Sequence, residues 1–334
     1  MVKIMKREDF LINPVRHIKL KPSMTVNELI KEYSKSGSFG AGRLATACDI
    51  YERMLREDCT IFLGLSGAVV PAGLRTVIAD LIRKRMVDVI VSTGANIIHD
   101  LIEAFGGHHY KGHWLVDDFL LYKYHIYRIY DIFVPEEAFT KLDFKLVEIF
   151  NEIGREFKGQ SLATHEFAWE LGKRVEDSNS ILRAAYEMKL PIFMPAVRDC
   201  EFSLVYYYHD KLVGADEKLK IDSFKEVPVF ISLFERAEKN GMIIIGGGVP
   251  RNTIQHAAVS SKRSIDYAVV ITMDRQETGG LSGSTLEETV SWGKVKSKAK
   301  KVMVTGEAVM IFPIMVASVM ERLGENFIRE HKLF

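Results

Sequence analysis

The chain has 334 residues, of which 47% are apolar, 27% charged and 10% aromatic, which excludes a disordered, collagenous or disulfide-scaffold protein. Lysine and arginine number 45 against 44 aspartate and glutamate residues, a formal charge of +1, so the basic excess that duplex nucleic acid requires is missing. Cys48, Cys59 and Cys200 form no CxxC pair, which indicates neither a disulfide framework nor a thiolate zinc site. We therefore expect a reduced, intracellular compartment.

Neither end of the chain resembles a membrane-directed segment. Residues 1–21 mix charges through their apolar residues and have no signal-peptide core. The long apolar stretch 302–319 is interrupted by Gly306, Glu307 and Pro313, which makes it unsuitable for spanning a bilayer. We expect a cytoplasmic protein with no membrane partner.

Six short runs rich in β-branched residues end in small or turn-forming residues: Thr60–Ser66, Val87–Thr93, Pro191–Ala196, Met242–Ile245, Tyr267–Met273 and Val302–Thr305. Amphipathic stretches with apolar residues three to four apart lie between them, for example Leu74–Met86, Phe144–Phe157 and Phe224–Asn240. This alternation predicts an α/β fold with a mostly parallel sheet and helices on both faces. We expect one large domain over residues 36–334 and a small helical N-terminal extension over residues 1–35. Residues 105–139 are rich in Tyr, His and Asp and suggest an inserted segment or an interface arm.

Four strand ends continue directly into small residues, at 64–68, 93–96, 246–248 and 306–308. Ligands of open α/β sheets bind beyond the carboxyl ends of strands, where loops without Cβ bulk let the backbone approach closely. The alternative is that these glycines only make tight strand-to-helix turns. Four such junctions together favour a nucleotide site, although none is a GxGxxG fingerprint.

A glycine-rich loop at 279–283 precedes a segment that is predicted to be a short helix. Either Ser284 with Glu287 or Thr285 with Glu288 fits a capping box at its start. Glu288 and Trp292 are four residues apart and share a face, Gly293 ends the helix, and Lys294 follows. A carboxylate and an indole attract ammonium groups, and a desolvated lysine can attack a carbonyl or imine carbon. The alternative is a surface lysine beside a packing tryptophan.

The segment Ser291-Trp292-Gly293-Lys294, preceded by Leu281-Ser282-Gly283 and Glu288, resembles the signature of the deoxyhypusine synthases. The similarity extends over the chain beyond about the first 35 residues. It includes the segments 62–64, 87–91, 128–129, 134–135, 195–196, 246–249, 266–269 and 312–313, and Asp199.

This resemblance implies a Rossmann-like, doubly wound homotetramer with NAD sites at subunit interfaces. In that family NAD oxidises spermidine and an aminobutyl imine forms on the motif lysine, here Lys294. The aminobutyl group then passes to a lysine of translation initiation factor 5A. The resemblance assigns the cofactor to Gly67, Ala68, Pro71, Thr93, Gly94, Ala95, Asp199, Gly247, Met273, Asp274, Glu307 and Ala308. It assigns the substrate to Glu288, Trp292, Ser282, Asn252 and His99.

The chain departs from the family pattern at several of these positions. Glu307 stands where an aspartate is usual, and a glutamate can still accept hydrogen bonds from ribose hydroxyls. Ile98-His99 replaces two adjacent acids, Leu204 another acid and Asn252 a histidine, while Leu281 replaces an acid of many members. Arg198 and Glu201 flank Asp199 and could supply replacement charges.

The lost acids leave two alternatives open beside deoxyhypusine synthesis. One is a homospermidine synthase-like reaction in which a small amine accepts the aminobutyl group. The other is a catalytically silent NAD-binding paralogue that acts as a regulatory subunit.

Two further clusters of charged residues favour structural roles. His108, His109 and His113 with Asp117 and Asp118 match no established metal motif, so we predict a polar loop or subunit contact and no metal. The lysines at 294, 296, 298, 300 and 301 alternate as in an edge strand with one solvated face, the alternative being a docking rim for an acidic protein.

Overall fold

A computed structural model describes residues 6–330 of the chain. The α-helices, numbered in chain order, are α1 (Val26–Ser36), α2 (Phe39–Arg56), α3 (Arg75–Arg83), α4 (Gly94–Ala104), α5 (Asp118–Lys123), α6 (Glu136–Phe157), α7 (Thr164–Lys173), α8 (Ile181–Met188), α9 (Phe202–Leu212), α10 (Val227–Arg236), α11 (Gly248–Ser260), α12 (Leu286–Ser291) and α13 (Ala308–Leu323). The strands are β1 (Cys59–Leu65), β2 (Val89–Ser92), β3 (Tyr110–Lys111), β4 (Ile126–Ile129), β5 (Ile132–Pro135), β6 (Ser161–Leu162), β7 (Ile192–Phe193), β8 (Lys220–Ile221), β9 (Lys239–Ile245), β10 (Ile265–Thr272) and β11 (Val295–Thr305).

The main sheet has six parallel strands in the order β11-β10-β9-β1-β2-β7. Counted along the chain and read from β7, this is the 3-2-1-4-5-6 order of the doubly wound Rossmann fold. All six predicted strand runs lie in this sheet. The predicted α/β fold class is confirmed, and the strand order reverses between β1 and β9.

Alternation along the strands sends side chains to two separate hydrophobic clusters, one on each face of the sheet. Ile61 and Leu63 belong to one cluster, whereas Phe62 packs on the opposite face against α10. There its ring stacks on Phe234 at a centroid distance of 4.1 Å. Because both faces are covered, central strands such as β1 and β2 are buried along their whole length.

Helix α1 lies against α2 and α13. Its Ile30 is fully buried, and Arg322 of α13 donates a 2.7 Å hydrogen bond to Asn27. The predicted boundary after residue 35 falls one residue before the end of this helix. That boundary stays a prediction, and residues 1–5 and 331–334 of the two predicted units lie outside the described residues.

The region 105–139, predicted to be an inserted segment or an interface arm, contains a small sheet of its own and ends in the first turn of α6. Its antiparallel sheet has the order β3-β5-β4, and α5 lies against β4. Among residues 6–330, none of the helices combines the length and apolar character needed to span a bilayer.

Strand β11 forms one edge of the main sheet and is irregular near its start. Ile265 of β10 pairs with Val295, whereas Tyr267, two residues on, pairs with Lys300. Five residues of β11 therefore pass beside two of β10. Lys296 in this excursion forms an ion pair with Asp266 at 2.5 Å.

Candidate functional site

A cleft of about 1070 Å³ opens at the carboxyl ends of the central strands, where the strand order reverses. Ligands of doubly wound sheets bind at this point. Six of the predicted cofactor residues line the cleft: Gly67, Ala68, Pro71, Met273, Glu307 and Ala308. The small sheet and its loops also line the cleft, and the rings of the loop residues Trp114 and Tyr130 lie 5.7 Å apart there.

Glycines shape the floor of the cleft because the backbone there adopts conformations that side chains disfavour. Gly67 has a φ of +78°, and a Cβ built on it would meet no atom within 4 Å, so its backbone faces open space. Gly246, at φ +75°, follows β9. Ser66 donates a 2.5 Å hydrogen bond from Oγ to the carbonyl of Gly247, which ties the two loops together. This open, glycine-lined floor suits the close approach of a pyrophosphate.

Glu307 lies at the mouth of the cleft and caps helix α13. Its carboxylate accepts hydrogen bonds from the backbone amides of Val309, at 2.6 Å, and Met310, at 2.8 Å. These bonds fix the carboxylate, and its remaining lone pairs are available to further donors.

The other predicted cofactor residues lie around the cleft rather than in its lining. Thr93, Gly94 and Ala95 form the start of α4, and a Cβ on Gly94 would lie 2.4 Å from Sγ of Cys200. This close packing places the start of α4 beside the segment that carries the exposed Asp199.

Gly247 and Asp274 meet the glycine-rich loop instead. A Cβ on Gly247 would lie 2.4 Å from Cα of Ser282, and the Ser282 hydroxyl donates a hydrogen bond to Asp274. The structure therefore brings Ser282, a predicted substrate residue, into contact with two predicted cofactor residues.

Lys294 lies between α12 and β11, and its backbone carbonyl accepts a 3.0 Å hydrogen bond from the amide of Ile265. The residue is only 8% exposed, and its Nζ lies 5.3 Å from the centroid of the Trp292 indole ring. Burial lowers the pKa of Lys294, the positive charge of Arg251 lowers it further, and Glu288 opposes both. Glu288, Trp292 and Lys294 thus lie together, as predicted, around an amine that loses its proton more readily than an ordinary lysine.

Local capping explains how the short helix places these residues. The Thr285 side chain accepts a 3.1 Å hydrogen bond from the amide of Glu288, so Thr285 is the N-cap rather than Ser284. Trp292 ends the helix, and Gly293 follows at φ +69°. This left-handed residue turns the chain so that Lys294 enters the start of β11.

Arg251 of α11 is a site residue that sequence reasoning missed. It is fully buried, and its guanidinium donates to the carbonyls of Leu281, at 2.9 Å, and Ser284, at 3.0 Å. Burial lowers the pKa of Arg251 to about 10. The arginine therefore clamps the glycine-rich loop and adds a buried positive charge beside Lys294. Its position on the buried face of α11, three residues before the buried Ile254, is the signal in the sequence.

His99 lies on α4 and Asn252 on α11, whereas Lys294 lies between α12 and β11. Asn252 is half-buried next to Arg251 on α11. His99 lies on α4, which follows β2, and β2 is four strand positions from β11. With about 4.8 Å between strands, these two strands are roughly 19 Å apart. Within one chain the structure does not bring His99 and Lys294 to a common point.

His99 has close partners that the sequence did not reveal. Its Nδ1 lies 2.9 Å from Nε2 of His109, and Nδ1 of His109 lies 2.6 Å from a carboxylate oxygen of Glu103. His109 lines the cleft. Within residues 6–330 no group of three or more potential ligand side chains is arranged to hold a metal ion.

Arg198 and Glu201, which were proposed to supply replacement charges, lie in different environments. Arg198 is exposed, whereas Glu201 is half-buried beside Asp143 of α6. Burial and the neighbouring Glu201 raise the pKa of Asp143 to about 6, and burial also raises that of Glu201. The two acids are therefore paired with each other. Leu204, at a position where the family usually has an acid, is 44% exposed.

Comparison with known proteins identifies relatives over nearly the whole chain. The family model described as deoxyhypusine synthase matches residues 28–319. The Methanosarcina mazei protein named "Probable deoxyhypusine synthase 1" is 43% identical over 317 residues, which cover 95% of this chain and 97% of that protein. The Archaeoglobus fulgidus protein named "Probable deoxyhypusine synthase 2" is 42% identical over 286 residues, covering 83% and 92% of the two chains.

A solved structure supports the same fold. The solved structure described as "Crystal Structure of a putative deoxyhypusine synthase from Entamoeba histolytica" superposes with a TM-score of 0.64 at 20% identity, covering 91% of this chain and 96% of that chain. The resemblance carried by Ser291-Trp292-Gly293-Lys294 is confirmed: this chain belongs to the deoxyhypusine synthase family.

Proposed function

We propose that the protein transfers an aminobutyl group from spermidine to an amine acceptor, through an imine on Lys294, in an NAD-dependent reaction. The acceptor is a lysine of translation initiation factor 5A. The observation that carries this proposal is the environment of Lys294, which is buried, lies over the Trp292 ring and has a lowered pKa. A neutral amine at this position can attack an iminium carbon, whereas an ordinary lysine ammonium cannot.

The cleft supports NAD as the cofactor. Its volume, its glycine floor and its place at the reversal of strand order fit a dinucleotide. Gly67 would let the backbone approach the pyrophosphate, and Glu307 would accept hydrogen bonds from ribose hydroxyls. When bound, NAD would accept a hydride from the donor amine and return it at the end of the reaction.

Glu288 and Trp292 would recognise the cationic donor. A carboxylate pairs with an ammonium group, and an indole face attracts it through the ring quadrupole. In the described chain this indole is 65% exposed, so its face is accessible to an incoming amine. Ser282, bonded to Asp274, would connect the amine site to the cofactor loops.

The distance between His99 and Lys294 supports a site that two copies of the chain build together. Two residues on strands roughly 19 Å apart in one chain do not reach one amine, but residues from neighbouring subunits can. A homotetramer with sites at subunit interfaces satisfies this requirement. We propose that this assembly acts in the cytoplasm, without nucleic-acid or membrane partners.

Imine trapping tests the proposal directly. The protein is incubated with NAD and spermidine and reduced with borohydride, and the labelled peptide is identified by mass spectrometry. We expect an aminobutyl adduct on Lys294 that is absent from Lys294→Arg and retained in Lys296→Arg, which changes an exposed lysine two residues further along the chain. Transfer of the aminobutyl group to initiation factor 5A then tests the acceptor.

The replaced acids favour a second candidate, homospermidine synthase-like transfer to a small amine, since Ile98 and Leu204 offer no charge to the usual donor. An adduct on Lys294 that passes to putrescine but not to the protein acceptor would establish this candidate. NAD binding without an adduct from any amine would refute both reactions and leave the silent regulatory paralogue.

A further inference from the structure

A chain of three side chains connects the interior of α4 to the cleft. The loop after α4 turns back, so that Nε2 of His109 lies 2.9 Å from Nδ1 of His99. On its other side, Nδ1 of His109 lies 2.6 Å from Oε1 of Glu103, which also accepts the backbone amide of His109 at 3.0 Å. The His109 side chain is 7% exposed and His99 is 9% exposed, so both imidazoles are nearly removed from solvent.

If both rings are neutral, the hydrogen-bond sequence assigns their tautomers. Although burial alone would raise the pKa of Glu103, hydrogen bonds from His109 hold it below the usual value, so this carboxylate accepts only. Nδ1 of His109 must then carry the hydrogen, and Nε2 of His109 accepts from Nδ1 of His99. The nitrogen left with a free lone pair is Nε2 of His99.

The cluster is placed where proton transfer would be used. His109 lines the cleft that fits the dinucleotide, and His99 contacts it, with its ring edge-on to Phe139 at 6.1 Å. His99 also stands where the resemblance assigns a substrate contact. The other titratable neighbour of Glu103 is His108, whose Nδ1 lies 3.5 Å from its second oxygen and whose side chain is 66% exposed.

We propose that Glu103, His109 and His99 form a proton relay that deprotonates the donor amine before its oxidation. This inference rests on the proposed function. Nε2 of His99 takes the proton of the cationic amine while Nδ1 of His99 gives its own proton to Nε2 of His109. The nitrogen lone pair so released drives a hydride from the adjacent carbon to NAD, which leaves an iminium ion and reduced nicotinamide.

The relay explains how a buried imidazole can serve as a base. Burial and the neighbouring His109 lower the pKa of His99 to about 4, so the ring is neutral near pH 7 but would hold a proton weakly by itself. Transfer of a proton to His109 places the positive charge beside the Glu103 carboxylate, which stabilises the imidazolium. His109 and Glu103 are therefore positioning residues, and His99 is the group that meets the amine.

A first measurement tests the relay without substrate or cofactor. In the full-length protein with nitrogen-15 labelled histidine, NMR should show His99 and His109 in the Nδ1–H tautomer near pH 7. His109→Gln and Glu103→Gln should release His99 from this tautomer, whereas His108→Gln should not. A predominance of the Nε2–H tautomer at either ring would overturn the relay whatever the protein's activity.

A second measurement tests its role in catalysis. Single-turnover reduction of NAD by spermidine should fall by roughly 10²–10³-fold in His109→Gln and Glu103→Gln. The dissociation constants for NAD and spermidine should stay within about 3-fold, and His108→Gln should react at the wild-type rate. The wild type should also show a solvent deuterium isotope effect that His109→Gln lacks.

The outcomes separate this inference from the function on which it rests. Unchanged reduction rates in both relay variants, in a wild type that reduces NAD, would overturn the relay alone. A wild type with the expected tautomers that does not reduce NAD with spermidine or putrescine would overturn the catalytic role together with the proposed function.

Discussion

Arg251 holds Ser284 by two hydrogen bonds from one guanidinium nitrogen, to the backbone carbonyl at 3.0 Å and to the hydroxyl at 3.1 Å. The contact fastens the loop before α12 to helix α11. It also holds the positively charged guanidinium of Arg251 close to Lys294. A like charge in a buried setting disfavours protonation of the lysine. The clamp and the electrostatic effect therefore come from the same side chain.

Replacing Arg251 should change the reactivity of Lys294. In Arg251→Gln the pKa of Lys294 should rise, so the neutral fraction at a given pH falls and the curve of labelling against pH moves to higher pH. Arg251→Lys keeps the charge and should shift the curve less. Competitive labelling with an amine reagent, quantified for the Lys294 peptide, measures both. Coincident curves for wild type and Arg251→Gln, with circular dichroism showing folded protein, would contradict the electrostatic role.

Trp292 should contribute to donor affinity more than to the chemical step. Trp292→Leu removes the ring face under the ammonium, and the KM for spermidine should rise roughly 3-fold to 30-fold, equivalent to about 0.7–2 kcal/mol. Trp292→Phe keeps a weaker ring and should give an intermediate value. Steady-state kinetics at saturating NAD measure the effect. An unchanged KM in Trp292→Leu would show that this exposed indole does not bind the donor amine.

A site shared between subunits predicts complementation. Lys294→Ala and His99→Ala should each be inactive alone, because each removes one half of the site. After mixing, unfolding and refolding together, activity should return to roughly a quarter of the wild-type level, since random pairing restores one intact site in half of the dimers. Each variant refolded alone is the control. Inactivity of the mixture would place both residues in sites formed within one chain.

Glu226 should make stability depend on pH away from the site. It is 5% exposed and accepts hydrogen bonds from Thr164, and burial raises its pKa to about 7. The folded state thus binds a proton that the unfolded chain releases near pH 4.3. The stabilisation that this proton gives the folded state is fully present below that pH and is lost as the pH rises through about 7. Glu226→Gln should remove roughly 1–3 kcal/mol of this pH dependence between pH 5 and 8, measured by denaturant unfolding. Identical profiles for wild type and variant would refute the assignment.

The sheet and the Lys294 motif could be predicted because local signals specify them. Apolar runs ending in small or turn-forming residues predicted every strand of the main sheet. Thr285 caps the start of α12, Glu288 lies in its first turn and Gly293 follows its end. Strand β11 begins at Val295, whereas the sequence predicted a start at Val302. The residues before Val302 are rich in lysine and lie at the edge of the sheet, so only their pairing with β10 shows that they belong to the strand. The contact between His99 and His109 depends on a loop that reverses direction, which no periodicity encodes.

The clamp by Arg251 was missed for a related reason. A charged residue is seldom fully buried, and only the tertiary arrangement of α11 and the glycine-rich loop supplies the carbonyls that its guanidinium needs. Likewise, Glu307 was expected to face a ribose, and its bonds to the amides of Val309 and Met310 follow from the exact start of α13.

Both ends of the six-stranded sheet are closed to further strands. At one end the excursion in β11 and the projecting lysines Lys296, Lys298 and Lys300 would set like charges against any matching strand. At the other end β7 has only two residues, too few to template a ladder. Copies of this chain are thereby prevented from joining edge to edge into an open-ended fibre. A closed assembly of the proposed kind would then be built on helical faces and loops.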